Sequence, residues 1–507
     1  MPGASFARDA RVFLIVCALV LPFVLQLAMT QSFSHDENQH IAAGALVARE
    51  GLLPYRDFPH FHTPYLAFVY ALLFQGADHL LLVARLFTVA CATAMVGLLG
   101  SVAFALFRER GSILAWSVCA GAVLLFISAG VFGETTGRAW NHEPGLLFAL
   151  LAFIAHTAGI GRRWDRWFIA SGVLLGISIG LRITFAPLAA PFGIALMLHI
   201  SQGGKLRALL HFAAGLFVGM LGLVCIFIAA PEQAFFGNFG FPGINIIYRT
   251  AAGNADVMTL ASKLRYIWKA IVVREFALVV ASLLPMLVAR LACGRRVNFQ
   301  TGFVILCLPF VLLGCLAPSP LSPQYFYPLV PFLLLAALHG LVAIPAGTVW
   351  FRRVLVAGAI CALVSVAVGR FAFIHLTDLW RLDAWTPIRL HRRAVELRAH
   401  LRSGRVLTLA PYFPLEAGLS IYRPFANGPF AWRVAPLIEP GKAARLGIIT
   451  PAALEACLDA DPPDAIVLGV ERGHEAEFRR YADKHGYVAI TAFERGEILL
   501  LVAKDAR

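Results

Sequence analysis

The sequence predicts an α-helical polytopic membrane protein, with about eleven spans and a small C-terminal α/β domain. Three observations carry this. Of its 507 residues, 59% are hydrophobic and only 14% charged, with a mean hydropathy of +0.75, outside the range of soluble domains. Apolar runs recur near the roughly 20 residues that a helix needs to cross a bilayer. The basic residues between those runs fall in alternate loops.

The runs come in order. Arg8 and Arg11 precede the first, Val12 to Met29. It is longer than the apolar stretch of a signal peptide and lacks a small-residue cleavage site, so a retained anchor is expected. Further runs lie near 79–107, 112–131, 144–160, 168–182, 185–200, 208–230, 268–290, 301–316, 325–345 and 354–370.

The charge pattern orients them. With the N-terminus inside, the cytoplasmic loops are 108–110, 161–167, 201–207, 290–300 and 347–353, each with at least two Lys or Arg. The opposite segments, 32–78, 132–143, 231–267, 317–324 and a short link at Arg182, hold acids, aromatics, glycines and prolines. Residues 64–76 then form a juxtamembrane or re-entrant helix. Topology accounts for the net charge of +14, and no nucleic-acid partner is expected. The nine cysteines show no metal or disulfide spacing.

Residues 1–370 read as the membrane domain, with 32–78 as its first outer loop. Residues 371–507 read as an extracytoplasmic α/β domain. Strands are expected at Val406–Ala410, Ala465–Gly469 and Ile498–Ala503, and a helix at His474–His485.

The first outer loop is the most chemically equipped stretch. Ser34 and Glu37 form a capping box that starts a helix near Asp36, and Gly51 suits its end. Ile41, Ala45, Ala48 and Leu52 make a narrow apolar stripe, suited to lying on a membrane surface. Glu37 then caps, so Glu37→Gln is expected to be mild. Asp36, one residue earlier, points about 100° away. Around them lie His35, His40, His60 and His62, and the cluster Tyr55-Arg56-Asp57.

Three more polar islands sit on the same side. Residues 133–144 carry Glu134, Arg138, Asn141, His142 and Glu143. The bland reading is a helix cap; the functional one is a second acid facing the first. Residues 235–249 interleave aromatics with Gly and Asn, as a lipid-chain groove or a surface loop. Residues 318–331 are Pro-rich and include Gln324 and Tyr325. Arg182 is an isolated charge between two apolar runs, a costly position that is often functional.

Taken in order, these stretches resemble the GT-C glycosyltransferases, in particular the protein O-mannosyltransferase and aminoarabinose-transferase superfamily. The resemblance rests on Asp36-Glu37 after the first span, then Gly-Leu-Leu-Pro-Tyr-Arg-Asp-Phe from Gly51 and His-Thr-Pro-Tyr from His62. The 138–143 island, Arg182 and Gln324-Tyr325-Phe326-Tyr327-Pro328 follow, over residues 12–345. Gln324 stands where the family has Arg or His, and Glu143 where it has Asp.

The resemblance implies an inverting transferase with its site on the outer face of an inner or plasma membrane. The donor would be a polyprenyl-phosphate-linked sugar, and the acceptor hydroxyl would belong to a glycan, lipid or protein. Asp36 is implied as general base, with Glu37 and Glu143 on the acceptor and Arg56, Arg138 or Arg182 on the leaving phosphate. Tyr55, Asp57, His62, Asn141, His142, Gln324 and Tyr325 complete the implied substrate contacts. Membrane lipids are partners. Asp36, Glu143 and the histidines leave room for a divalent metal, which no spacing demands. A transporter or flippase of a lipid-linked sugar and a non-catalytic assembly protein stay open. Charged spans and repeated halves would favour the first, and dispensable tandem acids the second.

Overall fold

The computed structural model describes residues 2–162, 165–200, 202–253, 259–294, 298–368, 378–401, 404–493 and 498–503. The expected domain boundary after residue 370, and parts of the basic loops at 161–167, 201–207 and 290–300, lie outside the described residues.

Seven helices among the described residues are long and apolar enough to cross a membrane: Arg8–Thr30, Leu80–Arg110, His142–Gly161, Lys205–Ala229, Phe299–Leu316, Pro323–Ala343 and Val349–Val368. The pair Leu260–Val273 and Phe276–Leu291, bent by 83°, adds an eighth if it is one span. The other expected spans fall on shorter helices, Ser112–Ser128, Asp165–Leu181 and Ile183–His199. Each has 17 residues, or about 25 Å at 1.5 Å per residue, just under a bilayer core. The chain is a multi-pass membrane protein. Residues 64–76 contain a nine-residue helix, Tyr65–Leu73, too short to cross.

Small residues let two of the helices pack closely. Gly172 and Gly176 on Asp165–Leu181 face Gly215 and Gly219 on Lys205–Ala229. A Cβ on Gly215 would lie 2.2 Å from the Ile169 carbonyl oxygen, so the backbones touch only because both faces lack side chains.

At one end Arg108 pairs with Asp9 at 2.6 Å and Arg110 donates to the Ile344 carbonyl at 3.3 Å. The polar islands gather at the other, under the C-terminal region. That region holds a five-stranded sheet in the order Ser420–Ile421, Arg405–Leu407, Ala465–Leu468, Ile498–Ala503, Tyr487–Phe493. The first three strands are parallel, with Val406 beside both Ile421 and Ala465. Ile498–Ala503 runs antiparallel to both of its neighbours, with Leu468 opposite Leu499. The expected strand at 406–410 stops at Leu407, where Thr408 Oγ1 accepts the Ala410 N–H and turns the chain.

The first-loop helix spans His35–Glu50, with the Glu37 carboxylate accepting the Ser34 N–H at 2.9 Å and Gly51 at φ 65° ending it. Its apolar stripe does not lie on a membrane surface. Ile41 and Ala45 are fully buried in a cluster with Leu66, Tyr70, Leu81 and Tyr412. The physical reason is the C-terminal region, which covers the helix. Asn38 Oδ1 accepts the Tyr412 N–H at 3.2 Å, Glu416 accepts the Leu80 N–H at 2.9 Å, and Arg49 donates to the Leu415 carbonyl.

Candidate active site

Two adjacent acids on one helix have taken different environments. Asp36 is half-buried and lines a cavity of about 500 Å³. Glu37 is fully buried behind it. Arg85, near the start of Leu80–Phe107, donates from Nε and Nη2 to the two Glu37 oxygens, both at 2.8 Å. Ala139 N–H adds a third bond to Glu37 at 2.9 Å. The remaining Arg85 donors reach the carbonyls of Ala28, Gln31 and Ser32. Glu37 thus ties the first helix end to the 138–143 island through Arg85, a partner not foreseen from the sequence. The signal was available: Arg85 is an isolated charge in an apolar run, as Arg182 is.

The Tyr55-Arg56-Asp57 cluster builds the loop and stays outside the cavity wall. Tyr55, at φ 68°, donates its hydroxyl to the His62 carbonyl and accepts from Asn238 Nδ2 at 2.9 Å. Asp57 accepts the Leu53 N–H at 2.7 Å and pairs with exposed Arg56 at 2.8 Å. These bonds hold His62 in the cavity wall. His62 and His40 lie 4.7 Å apart by ring centroids and line the cavity together. Burial lowers the His62 pKa to about 3 and the His60 pKa to about 4, so both rings are neutral at pH 7. Burial also raises the Asp36 pKa, partly offset by the charges of His35, Arg433, Arg182 and Arg138.

Opposite Asp36, Asn141, His142, Arg182, Gln324 and Tyr325 complete the cavity. Arg182 Nη1 donates to Asn141 Oδ1 at 2.7 Å and Nε to Thr184 Oγ1 at 3.0 Å, leaving Nη2 without a bond described here. Its guanidinium lies 5.4 Å from the Tyr325 ring centre, and Tyr325 stacks on His142. Arg138 stands outside the wall, donating to the carbonyls of Ser32 and Glu134. Glu143 is buried, but it does not line the cavity with Asp36. Its carboxylate sits in the first turn of the helix that starts at His142, away from the cavity wall.

The far wall was less legible. The 235–249 stretch folds into Phe241–Ala251 and a preceding π-type turn, and contributes Asn238, Phe239, Phe241, Asn245 and Arg249. Gly237 permits this, since a Cβ there would lie 2.2 Å from the His60 carbonyl oxygen. Phe430 and Arg433 come from the C-terminal region, with Arg433 Nη2 donating to Asn245 Oδ1 at 2.9 Å. No sequence signal separated them from other surface residues.

Among the described residues, only Glu455, Asp459 and His485 bring three metal-ligand atoms within 4.8 Å of one another. All three are exposed on the C-terminal region, and Glu455 is already paired with Lys484. Among the described residues, Asp36, Glu143 and the histidines do not bring three such atoms that close together.

The chain has the GT-C fold, which it shares with solved structures. The aminoarabinose transferase ArnT from Cupriavidus metallidurans, in a crystal structure bound to undecaprenyl phosphate, superposes with a TM-score of 0.59 at 13% identity, covering 97% of each chain. Its apo state gives 0.57. The Archaeoglobus fulgidus oligosaccharyltransferase gives 0.52 at 10% identity, covering 91% of this chain and 70% of that one. No family model and no curated protein matches the sequence.

Proposed function

We propose that this protein is an inverting membrane glycosyltransferase. It moves a sugar from a polyprenyl-phosphate-linked donor to an acceptor hydroxyl on the outer face of an inner or plasma membrane. One observation carries the reading. The segments that the charge rule assigns outside, 32–78, 132–143, 231–267, 317–324 and the Arg182 link, all contribute residues to one cavity, with Asp36 in its wall. Undecaprenyl phosphate bound to ArnT supports the lipid-linked donor.

In this reading Asp36 accepts the proton of the acceptor hydroxyl as its oxygen attacks the anomeric carbon. The bond from that carbon to the phosphate oxygen breaks, and its electron pair leaves with the phosphate. A positioned base supplies about 10²–10⁴-fold of rate. Arg182, held by Asn141 and Thr184, stabilises the charge that grows on the leaving phosphate. Neutral His62 and His40 shape the wall beside Asp36 without competing for that charge. Phe239, Phe241 and Tyr325 offer apolar surface to the first isoprene units. Residues 1–370 form the catalytic membrane part, and 371–507 lie outside as its cover.

Mass spectrometry of cell-envelope glycans tests this class of function. A deletion strain should lose one sugar substituent, restored by the wild-type gene and not by Asp36→Asn. An unchanged glycan profile in the deletion strain would contradict it.

A further inference from the structure

A second cavity, of about 340 Å³, lies against the first. Asp36, Arg249, Phe430 and Arg433 line both. The character of the two spaces differs. The larger has aromatic walls, whereas the smaller adds His35, Glu471 and His474. Only one pair among these is already satisfied: His35 Nδ1 and Glu471 Oε1 lie 2.5 Å apart.

Arg249 and Arg433 are not satisfied. Both are half-buried, both have a buried Nε without a hydrogen-bond partner, and neither makes an ion pair among the described residues. Arg433 bonds only neutral Asn245 and lies 4.6 Å from the Phe430 ring centre and 5.6 Å from that of Tyr248. Asp36 and Glu471 share this wall and act on Arg433, but neither carboxylate lies within ion-pair distance of either arginine, so both guanidinium forks stay open to the oxygens of an added anion. Paired guanidinium forks match the oxygens and double charge of a phosphate group.

The stereochemistry of an inverting transfer adds a direction. The attacking hydroxyl and the leaving phosphate lie on opposite faces of the anomeric carbon. The hydroxyl must also reach Asp36. Donor and acceptor therefore approach Asp36 from different sides, and two cavities meet there. We infer that the smaller cavity is the acceptor site, and that Arg249 and Arg433 together grip a phosphate group on the acceptor beside the hydroxyl that Asp36 deprotonates. This rests on the glycosyltransferase reading above.

The test uses the full chain in phosphatidylcholine nanodiscs, with binding measured for three probes: inorganic phosphate, phosphatidic acid and undecaprenyl phosphate. Arg249→Gln and Arg433→Gln should each weaken one or both of the first two probes by about tenfold or more, the worth of a charged hydrogen bond. They should leave undecaprenyl phosphate binding within about twofold, while Arg182→Gln should do the reverse. Loss of phosphatidic acid alone identifies a lipid headgroup, and loss of inorganic phosphate a free anion. Arg249→Gln should melt close to wild type, and Arg433→Gln, which loses its bond to Asn245 and its seat on Phe430, somewhat lower but still folded; Arg433→Lys, which keeps the charge, should retain part of the binding. Unchanged binding of both phosphate probes would overturn the inference. So would a selective loss of undecaprenyl phosphate, which would give the pair to the donor and leave the transferase reading intact. If wild type binds the phosphate probes but no undecaprenyl phosphate, the transferase reading fails and the acceptor role with it, while the anion site stands.

Discussion

Arg85 grips Glu37 through two 2.8 Å hydrogen bonds, with both side chains fully buried. Glu37 is therefore a structural hub as well as a cap, and its substitution is not mild. Glu37→Gln leaves Arg85 charged and without its counter-ion, at a cost of about 3–5 kcal/mol. Thermal unfolding in detergent should show a clear drop for Glu37→Gln. The double variant Glu37→Gln, Arg85→Met should recover part of it. A Glu37→Gln chain as stable as wild type would show the pair to be dispensable.

Asp36 should behave in the opposite way. Its folded pKa lies above the ordinary carboxylate value because burial disfavours the charge. A raised carboxylate pKa destabilises the fold increasingly as pH rises from the unfolded value through the folded one. Above the folded value that cost is fully present, so there Asp36→Asn should be as stable as wild type or more so. Activity should fall as pH drops through the same raised value, because the base must be ionised. Melting temperature above the folded value and a pH–rate profile check both. A less stable Asp36→Asn chain would contradict this environment for Asp36.

The helix seam gives a stability prediction with an internal control. Gly215→Ala puts a Cβ 2.2 Å from the Ile169 carbonyl oxygen, and the helices must separate. Overpacking of this kind costs about 1–3 kcal/mol. Gly121→Ala meets nothing within 4 Å and should be neutral or slightly stabilising. Equal melting temperatures for the two variants would remove the seam's importance.

The donor chain should run past the aromatic wall. A photoreactive polyprenyl-phosphate analogue should label the segments around Phe239, Phe241 and Tyr325, which line the larger cavity. Labelling confined to the C-terminal sheet would exclude this path. Gln324→Ala should weaken the analogue less than Arg182→Gln does, since Gln324 brings no charge to the phosphate.

Local chemistry was legible in the sequence and long-range pairing was not. Ser34, Glu37 and Gly51 announced their helix because caps act within one turn. The polar islands were visible as breaks in hydropathy, and they do meet at one end. Arg85 and Arg433 stayed hidden, because each takes its meaning from a residue 48 or 188 positions away, and Arg249 showed only as the end of an aromatic stretch. Glu143 resembled a second cavity acid because a helix start looks the same whichever way its carboxylate turns. In the C-terminal region, Ser420–Ile421 was too short to read, and Tyr487–Phe493 was passed over although its β-branched and aromatic residues favour a strand.

The role of Asp36 is open to one direct measurement. Membranes containing the wild-type chain, Asp36→Asn or no chain receive a radiolabelled polyprenyl-phosphate sugar, and label reaching the envelope acceptor fraction is timed. Asp36→Asn, folded by its melting curve, should lower the rate by about 10²–10⁴-fold, the effect of losing a positioned base. Transfer at close to the wild-type rate by folded Asp36→Asn would contradict the account.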